Sequence, residues 1–204
     1  MKTNYQVNFE NIINKIKQQK EVPTLLLHSC CAPCSSYVLT LLSDYFKITI
    51  LYYNPNIEPF EEYQNRLNEQ KRLINELPTK NKINFIETDY NNQLYHQIID
   101  DVQSLKEGGN RCFKCYEIRL NETARLASKY HFDYFTTTLS VSPYKNSDKI
   151  NEIGEQLQAK YSIPYLYSDF KKKEGYKSSI VLAKKYNLYR QNYCGCLFFK
   201  NSAE

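Results

Sequence analysis

At 204 residues, 42% apolar and 24% charged, the chain has the composition of a folded protein, which excludes a disordered or fibrous polymer. Its 27 Lys plus Arg exceed 22 Asp plus Glu by a formal +5, a mild bias towards a polyanionic partner that assigns none by itself. No apolar run approaches the roughly 20 residues of a transmembrane helix, so no membrane partner is expected.

Residues 1–23 read as an N-terminal extension carrying a polar helix near Phe9 to Lys20. The first ten residues contain no apolar h-region, so the expected location is a reducing cytoplasm, where disulfides do not persist. Thr24–His28 reads as a buried strand and Ser35 to Tyr45 as the helix after it. Ile48 to Tyr53 is the next strand, and Pro59 with Glu61 and Glu62 opens a helix to about Leu77. Ile83 to Ile86 reads as a strand and Leu94 to Leu105 as a helix, before Gly108-Gly109 breaks the pattern. A helix from about Arg111 to Tyr130, with Asn110 as its expected cap, leads into a strand from Tyr134 to Thr138. Asp148 to Tyr161 then leads into Ile163 to Tyr167, and Lys171-Lys172-Lys173 reads as a solvated turn. The expectation is an α/β fold in one domain over 1–204, Rossmann-like or nucleotide-hydrolase-like. It has about five parallel strands, helices on both faces and a C-terminal cysteine-bearing extension. Ligands are expected at the carboxyl ends of such strands.

Seven cysteines lie in three tight clusters: Cys30, Cys31 and Cys34; Cys112 and Cys115; Cys194 and Cys196. Thiolates at such spacings suit tetrahedral iron or zinc, and three remote clusters meet only if the fold brings them together. The odd number, and a neighbouring pair that bridges only through a strained eight-membered ring, argue against disulfides. The first cluster follows the first strand, where nucleotide-binding relatives of this architecture place a glycine-rich phosphate loop. Amides at the start of the next helix favour thiolates there. Cys112 and Cys115 share a helix face with Arg119, and Gly195 lets the backbone turn between the last two cysteines. A structural zinc site would use four thiols and leave three without a role. A thioredoxin-like reading of Cys31 to Cys34 leaves Cys30 and two distant clusters unexplained.

Five blocks carry a resemblance: His28 to Cys34, Tyr53 to Ile57, Arg111 to Leu120, Phe135 to Lys145 and Leu188 to Cys196. In these words and their order, from about Leu25 to Phe198, the chain resembles the cobalamin-independent epoxyqueuosine reductases of the QueH family. The resemblance implies a tRNA-modifying oxidoreductase that removes the epoxide oxygen of epoxyqueuosine at the wobble position, the last step of queuosine biosynthesis. It implies a 4Fe-4S cluster, a second mononuclear iron that binds the epoxide oxygen, no cobalamin, and an external electron donor. All seven cysteines are then expected metal ligands, with Cys30, Cys31, Cys112, Cys115, Cys194 and Cys196 holding the cluster and Cys34 the least certain member.

Other polar residues carry two readings each. Tyr144, Tyr116 and His28 are candidates for proton donation, stacking or support of a sulfur, against packing for the tyrosines and structural hydrogen bonding for His28. Asn54, Arg119, Lys145 and Arg190 are candidate contacts to the tRNA substrate, the arginines alternatively balancing thiolate charge or pairing with Glu117. Two competing classes stay open here. A tRNA sulfurtransferase needs a phosphate loop, which is not found, and a zinc-stabilised RNA-binding module needs neither iron nor a reductant.

Overall fold

Leu25, Leu26 and Leu27 are fully buried, which makes Thr24–His28 (β1) the centre of the molecule. Burying each such side chain contributes about 1.5–3 kcal/mol. The computed structural model describes residues 4–19, 22–102, 108–191 and 193–200. Within them β1 pairs in parallel with Lys47–Tyr52 (β2) on one side and Tyr134–Thr137 (β4) on the other, and Asn84–Glu87 (β3) extends β2, giving the order β3-β2-β1-β4. Leu26 sits opposite both Thr49 and Phe135.

Alternation along β1 divides the core. Leu25 and Leu27 face a cluster formed with Tyr5–Lys17 (α1), Ala32–Leu42 (α2) and Gly175–Lys185 (α7), to which Phe9, Ile13, Val38 and Ala183 contribute. Leu26 faces Asn110–Lys129 (α5) and Ser147–Tyr161 (α6) through Leu120, Ala124, Phe135 and Ile150. Phe60–Glu76 (α3) adds Leu73 to the first cluster, while Asn92–Ile99 (α4) packs beside α5. The parallel sheet with helices on both faces is the expected class.

Several boundaries differ for local reasons. The helix expected from Ser35 begins at Ala32, because Cys31 caps it in extended conformation and Pro33 suits its first turn. Gly109, not Asn110, is the cap residue of α5, and no side chain caps that helix. The helix expected over Leu94 to Leu105 is α4 followed by a 3-10 turn at Asp100–Val102; residues 103–105 lie outside the described residues. A 3-10 turn over Thr138–Val141 ends β4 one residue before the expected Thr138. The segment Ile163 to Tyr167 is reduced to one parallel bridge, Phe135 with Tyr165. Phe135 N donates to the Pro164 carbonyl at 3.0 Å and Leu166 N to the Phe135 carbonyl at 2.9 Å, but Pro164 has no N–H and the next groups bond side chains: Tyr165 N donates to Gln158 Oε1 at 2.7 Å and Thr136 Oγ1 to the Leu166 carbonyl at 2.8 Å. Among the described residues no helix is long and apolar enough to cross a membrane.

Candidate metal centre

From β1 the chain crosses to β2 and β3, then returns to place β4 on the other side. The switch point between β1 and β4 therefore opens at their carboxyl ends, where α/β sheets bind ligands. Cys30 and Cys31 emerge there and Cys34 sits in the first turn of α2. The loop holding them is tightly fastened. Gln70 Oε1 accepts from Ser29 Oγ at 2.7 Å and Ser35 Oγ at 2.8 Å, and Asn54 Nδ2 donates to the Ser29 carbonyl at 2.8 Å. The three sulfurs lie within 4.8 Å of one another, with Cys30 and Cys31 at 3.8 Å and Thr138 Oγ1 3.8 Å from Cys30.

The other four thiols gather beside them. Cys112 and Cys115, one turn apart in α5, line an enclosed space of about 30 Å³ together with Cys194 and Cys196. Gly108 N donates to Cys112 Sγ at 3.2 Å, and the buried Tyr95 hydroxyl lies 3.4 Å from Cys196 Sγ. Among the described residues no three of these four sulfurs come as close together as the first group does. An adjoining cavity of about 470 Å³ is lined by Cys30, Cys31, Cys34 and Cys194, so Cys194, Arg119, Tyr144 and Lys145 form a wall common to both spaces. All seven thiols thus meet at one edge of the sheet.

Arg66 and Gly195 explain how the C-terminal thiols reach it. Arg66, on α3 and 2% exposed, pairs with Glu62 at 2.6 Å and donates to the carbonyls of Cys194 at 3.2 Å and Tyr193 at 3.4 Å. Gly195 has φ +101°, and a Cβ there would lie 2.9 Å from Ile57 Cγ1, so only glycine passes this turn freely. Its carbonyl accepts from Glu58 N at 2.8 Å.

Electrostatics distinguish the thiols from one another. Thiol hydrogens of Cys31 and Cys34 directed at Cys30 hold its pKa well below the ordinary value, and Cys30 in turn pushes Cys31 up to about 11. Cys194 is lowered to about 5 by the Cys196 thiol, while burial pushes Cys115 up. Cys30 and Cys194 are thus readily ionised sulfurs, one in each group, and a metal bound to either group competes with protons for its sulfurs. Burial opposes the charges of Arg119 and Lys145, yet the nearby thiols hold both above their ordinary values. Among the described residues no carboxylate pairs with either cation.

The remaining expected residues fall in different places. His28 Nε2 donates to the Tyr53 carbonyl at 3.2 Å, so Nδ1 accepts from Thr137 Oγ1 at 2.8 Å; burial lowers its pKa to about 3 and keeps the ring neutral. Both nitrogens are engaged in holding β1, β2 and β4 together. Asn54 is 1% exposed and turned to the Cys30 loop. Tyr116 is buried in the thiol-lined space, whereas Tyr144 projects at the lip, 80% exposed. Arg190 reaches Tyr176 Oη at 3.2 Å on the rim of the larger cavity, and neither it nor Arg119 pairs with Glu117 among the described residues. Sequence reasoning missed Arg66, Tyr95, Gln70 and Tyr176, which belong to no cysteine cluster and lie far from the thiols along the chain.

Comparison with known proteins agrees with this geometry. The profile of the family described as "Epoxyqueuosine reductase QueH" matches residues 25–202. A protein named Epoxyqueuosine reductase QueH from Staphylococcus epidermidis is 40% identical over 203 residues, covering 96% of this chain and 85% of that protein. One of the same name from Streptococcus pyogenes is 38% identical over 97% of this chain and 80% of that protein. Among solved structures, the U34-tRNA thiolase NcsA from Methanococcus maripaludis with its 4Fe-4S cluster aligns with TM-score 0.42 and 13% identity over 90% of this chain and 78% of that chain, too distant to carry an argument.

Proposed function

The chain belongs to the epoxyqueuosine reductase QueH family, and on that premise we propose that it reduces epoxyqueuosine in tRNA at the sheet edge where its seven thiols meet. Epoxide becomes alkene and water, which takes two electrons and two protons. One observation carries the reading: all seven thiols line two adjoining spaces that share a wall, a ligand set too large for a single tetrahedral ion. The donor chemistry fits iron in both. Cys112, Cys115, Cys194 and Cys196 have the ligand number of a 4Fe-4S cluster, one thiolate per iron. Cys30, Cys31 and Cys34 suit three corners of one tetrahedral ion, since metal–sulfur bonds of about 2.3 Å put those corners about 3.8 Å apart. Bound there, the cluster would relay single electrons from an external donor and the second iron would polarise the epoxide oxygen.

The chain's own groups do the rest. Arg119 and Lys145 hold positive charge on the shared wall, where oxygen leaves with negative charge developing. Tyr144 at the lip stacks on the base, Tyr116 presents a hydroxyl inside, and Arg190 on Tyr176 contacts the sugar or phosphate at the rim. His28 and Asn54 act as positioning residues. Chain 1–204 works as one unit, α1 included, because Phe9, Ile13 and Ile16 lie in the same core as β1.

The test uses protein purified without oxygen, with iron, zinc and sulfide measured and nucleosides from epoxyqueuosine-containing tRNA analysed by mass spectrometry after reaction with dithionite. Brown protein with at least five irons and conversion to queuosine is expected, and serine at any of Cys30, Cys31, Cys112, Cys115, Cys194 or Cys196 lowers turnover by orders of magnitude. Stoichiometric zinc with full activity, or near-native turnover in both the Cys112 and Cys115 variants, would overturn it.

A further inference from the structure

Lysine and arginine are not spread evenly over this chain. Residues 171–190 hold seven of them against Glu174 alone, a formal +6, so the remainder carries a net −1 of the chain's +5. Half of that segment is α7. Its buried positions, Gly175, Ser179 and Ala183, pack it on α2, the helix that Cys31 caps. Lys177, Val181, Lys184 and Lys185, at i, i+4, i+7 and i+8, form the opposite stripe and are all exposed. Val181 is 64% exposed, an apolar side chain held in water among lysines. Lys177 meets only the exposed Glu174, a pair of little energetic weight, and among the described residues no carboxylate pairs with Lys184, Lys185 or Arg190. At its N-terminal end α7 enters the thiol-lined cavity through Tyr176 and Ser179.

We infer that this outer stripe of α7 is the surface on which the phosphate backbone of the tRNA lies while one nucleoside enters the cavity. The inference rests on the tRNA reading above. From Lys177 to Lys185 the stripe is about 12 Å long, spanning several nucleotides of a backbone that carries a charge every few ångströms. Its charge has the sign such a backbone needs, and its N-terminal end lies at the thiol-lined cavity. An acidic protein that donates electrons would also meet a basic stripe, but the rim offers Tyr176 under the Arg190 guanidinium, a platform suited to ribose and base.

The experiment measures binding of unmodified tRNA to the oxygen-free protein across a salt series. Combining Lys177→Gln, Lys184→Gln and Lys185→Gln should weaken binding about 10- to 100-fold near 0.1 M salt and flatten the slope of log Kd against log salt by about 2, at roughly 0.7–0.9 per lost phosphate contact. Val181→Lys, which adds a charge to the stripe, should tighten binding severalfold. Combining Lys47→Gln, Lys129→Gln and Lys160→Gln removes the same charge at the start of β2 and the ends of α5 and α6, the opposite edge of the sheet, and should cost less than threefold. Equal losses in the two triple variants, or an unchanged salt slope in the α7 triple, would overturn the inference. So would an α7 triple that binds tRNA normally and is slowed with a protein donor but not with dithionite, which would give the stripe to an electron-transfer partner. Wild-type protein that binds tRNA with the steep slope yet leaves epoxyqueuosine unreduced would refute the activity alone.

Discussion

Replacing Arg66 by Met tests how the C-terminal thiols are brought to the sheet. Arg66 and Glu62 have side chains 2% and 10% exposed, and their 2.6 Å pair is the most buried ion pair found among the described residues. Removing one member of such a pair costs about 3–5 kcal/mol, because the other charge stays buried. The carbonyls of Cys194 and Tyr193 lose donors at 3.2 and 3.4 Å, adding about 1 kcal/mol in all. The expected loss is thus about 4–6 kcal/mol, against a total stability of about 5–15 kcal/mol for a protein of ordinary stability. Urea unfolding of metal-free protein reads this loss, and iron analysis after anaerobic reconstitution reads positioning. A second variant, Glu62→Leu with Arg66→Met, removes both charges and should recover most of the stability, while iron content stays low because Cys194 and Cys196 are no longer held. Loss below 1 kcal/mol in the single variant, or full iron in the double one, would refute the reasoning.

Gly195→Ala puts a Cβ 2.9 Å from Ile57 Cγ1 at φ +101°, so we expect a loss of about 1–3 kcal/mol and reduced iron; unfolding within 0.5 kcal/mol of wild type with full iron would contradict it. His28, lowered by burial to about 3 in the folded state against about 6.5 unfolded, binds fewer protons folded than unfolded between those values. Its stability contribution is therefore complete above about pH 6.5 and is lost as pH falls towards 3, at about 1.4 kcal/mol per unit. Metal-free wild type should lose about 2 kcal/mol more than His28→Gln between pH 6 and 4.5, and parallel pH curves would rule this out. At the lip, Tyr144→Ala should raise KM for tRNA about tenfold or more while Tyr144→Phe leaves it near wild type; equal KM values would exclude stacking.

Much of this was legible in order along the chain. Three leucines in a row, a β-rich run at Ile48 to Tyr53 and amphipathic helices between such runs declare an alternating α/β protein, since periodicity is local and survives without neighbours. The thiol spacings have the form of metal-ligand clusters, because ligand geometry is written into short loops. That the expected strand Ile163 to Tyr167 shrinks to one bridge was not legible, because side chains of Thr136 and Gln158 from elsewhere in the chain take part of its backbone bonding.

By itself, then, the amino-acid sequence determined the fold class, the grouping of the seven thiols into three short clusters and the family. Those rest on residue type and spacing within a few turns of chain. Tertiary structure alone decided that the thiols divide into a close group of three and a wider group of four, and that Arg66 and Gly195 carry the last pair across to α3. It also decided that His28 is spent on holding strands together and that α7 turns its lysines outward beside the cavity. These are relations between segments from about 25 to more than a hundred residues apart or between opposite faces of one helix. They arise only when burial of the two apolar faces of β1 chooses which surfaces meet.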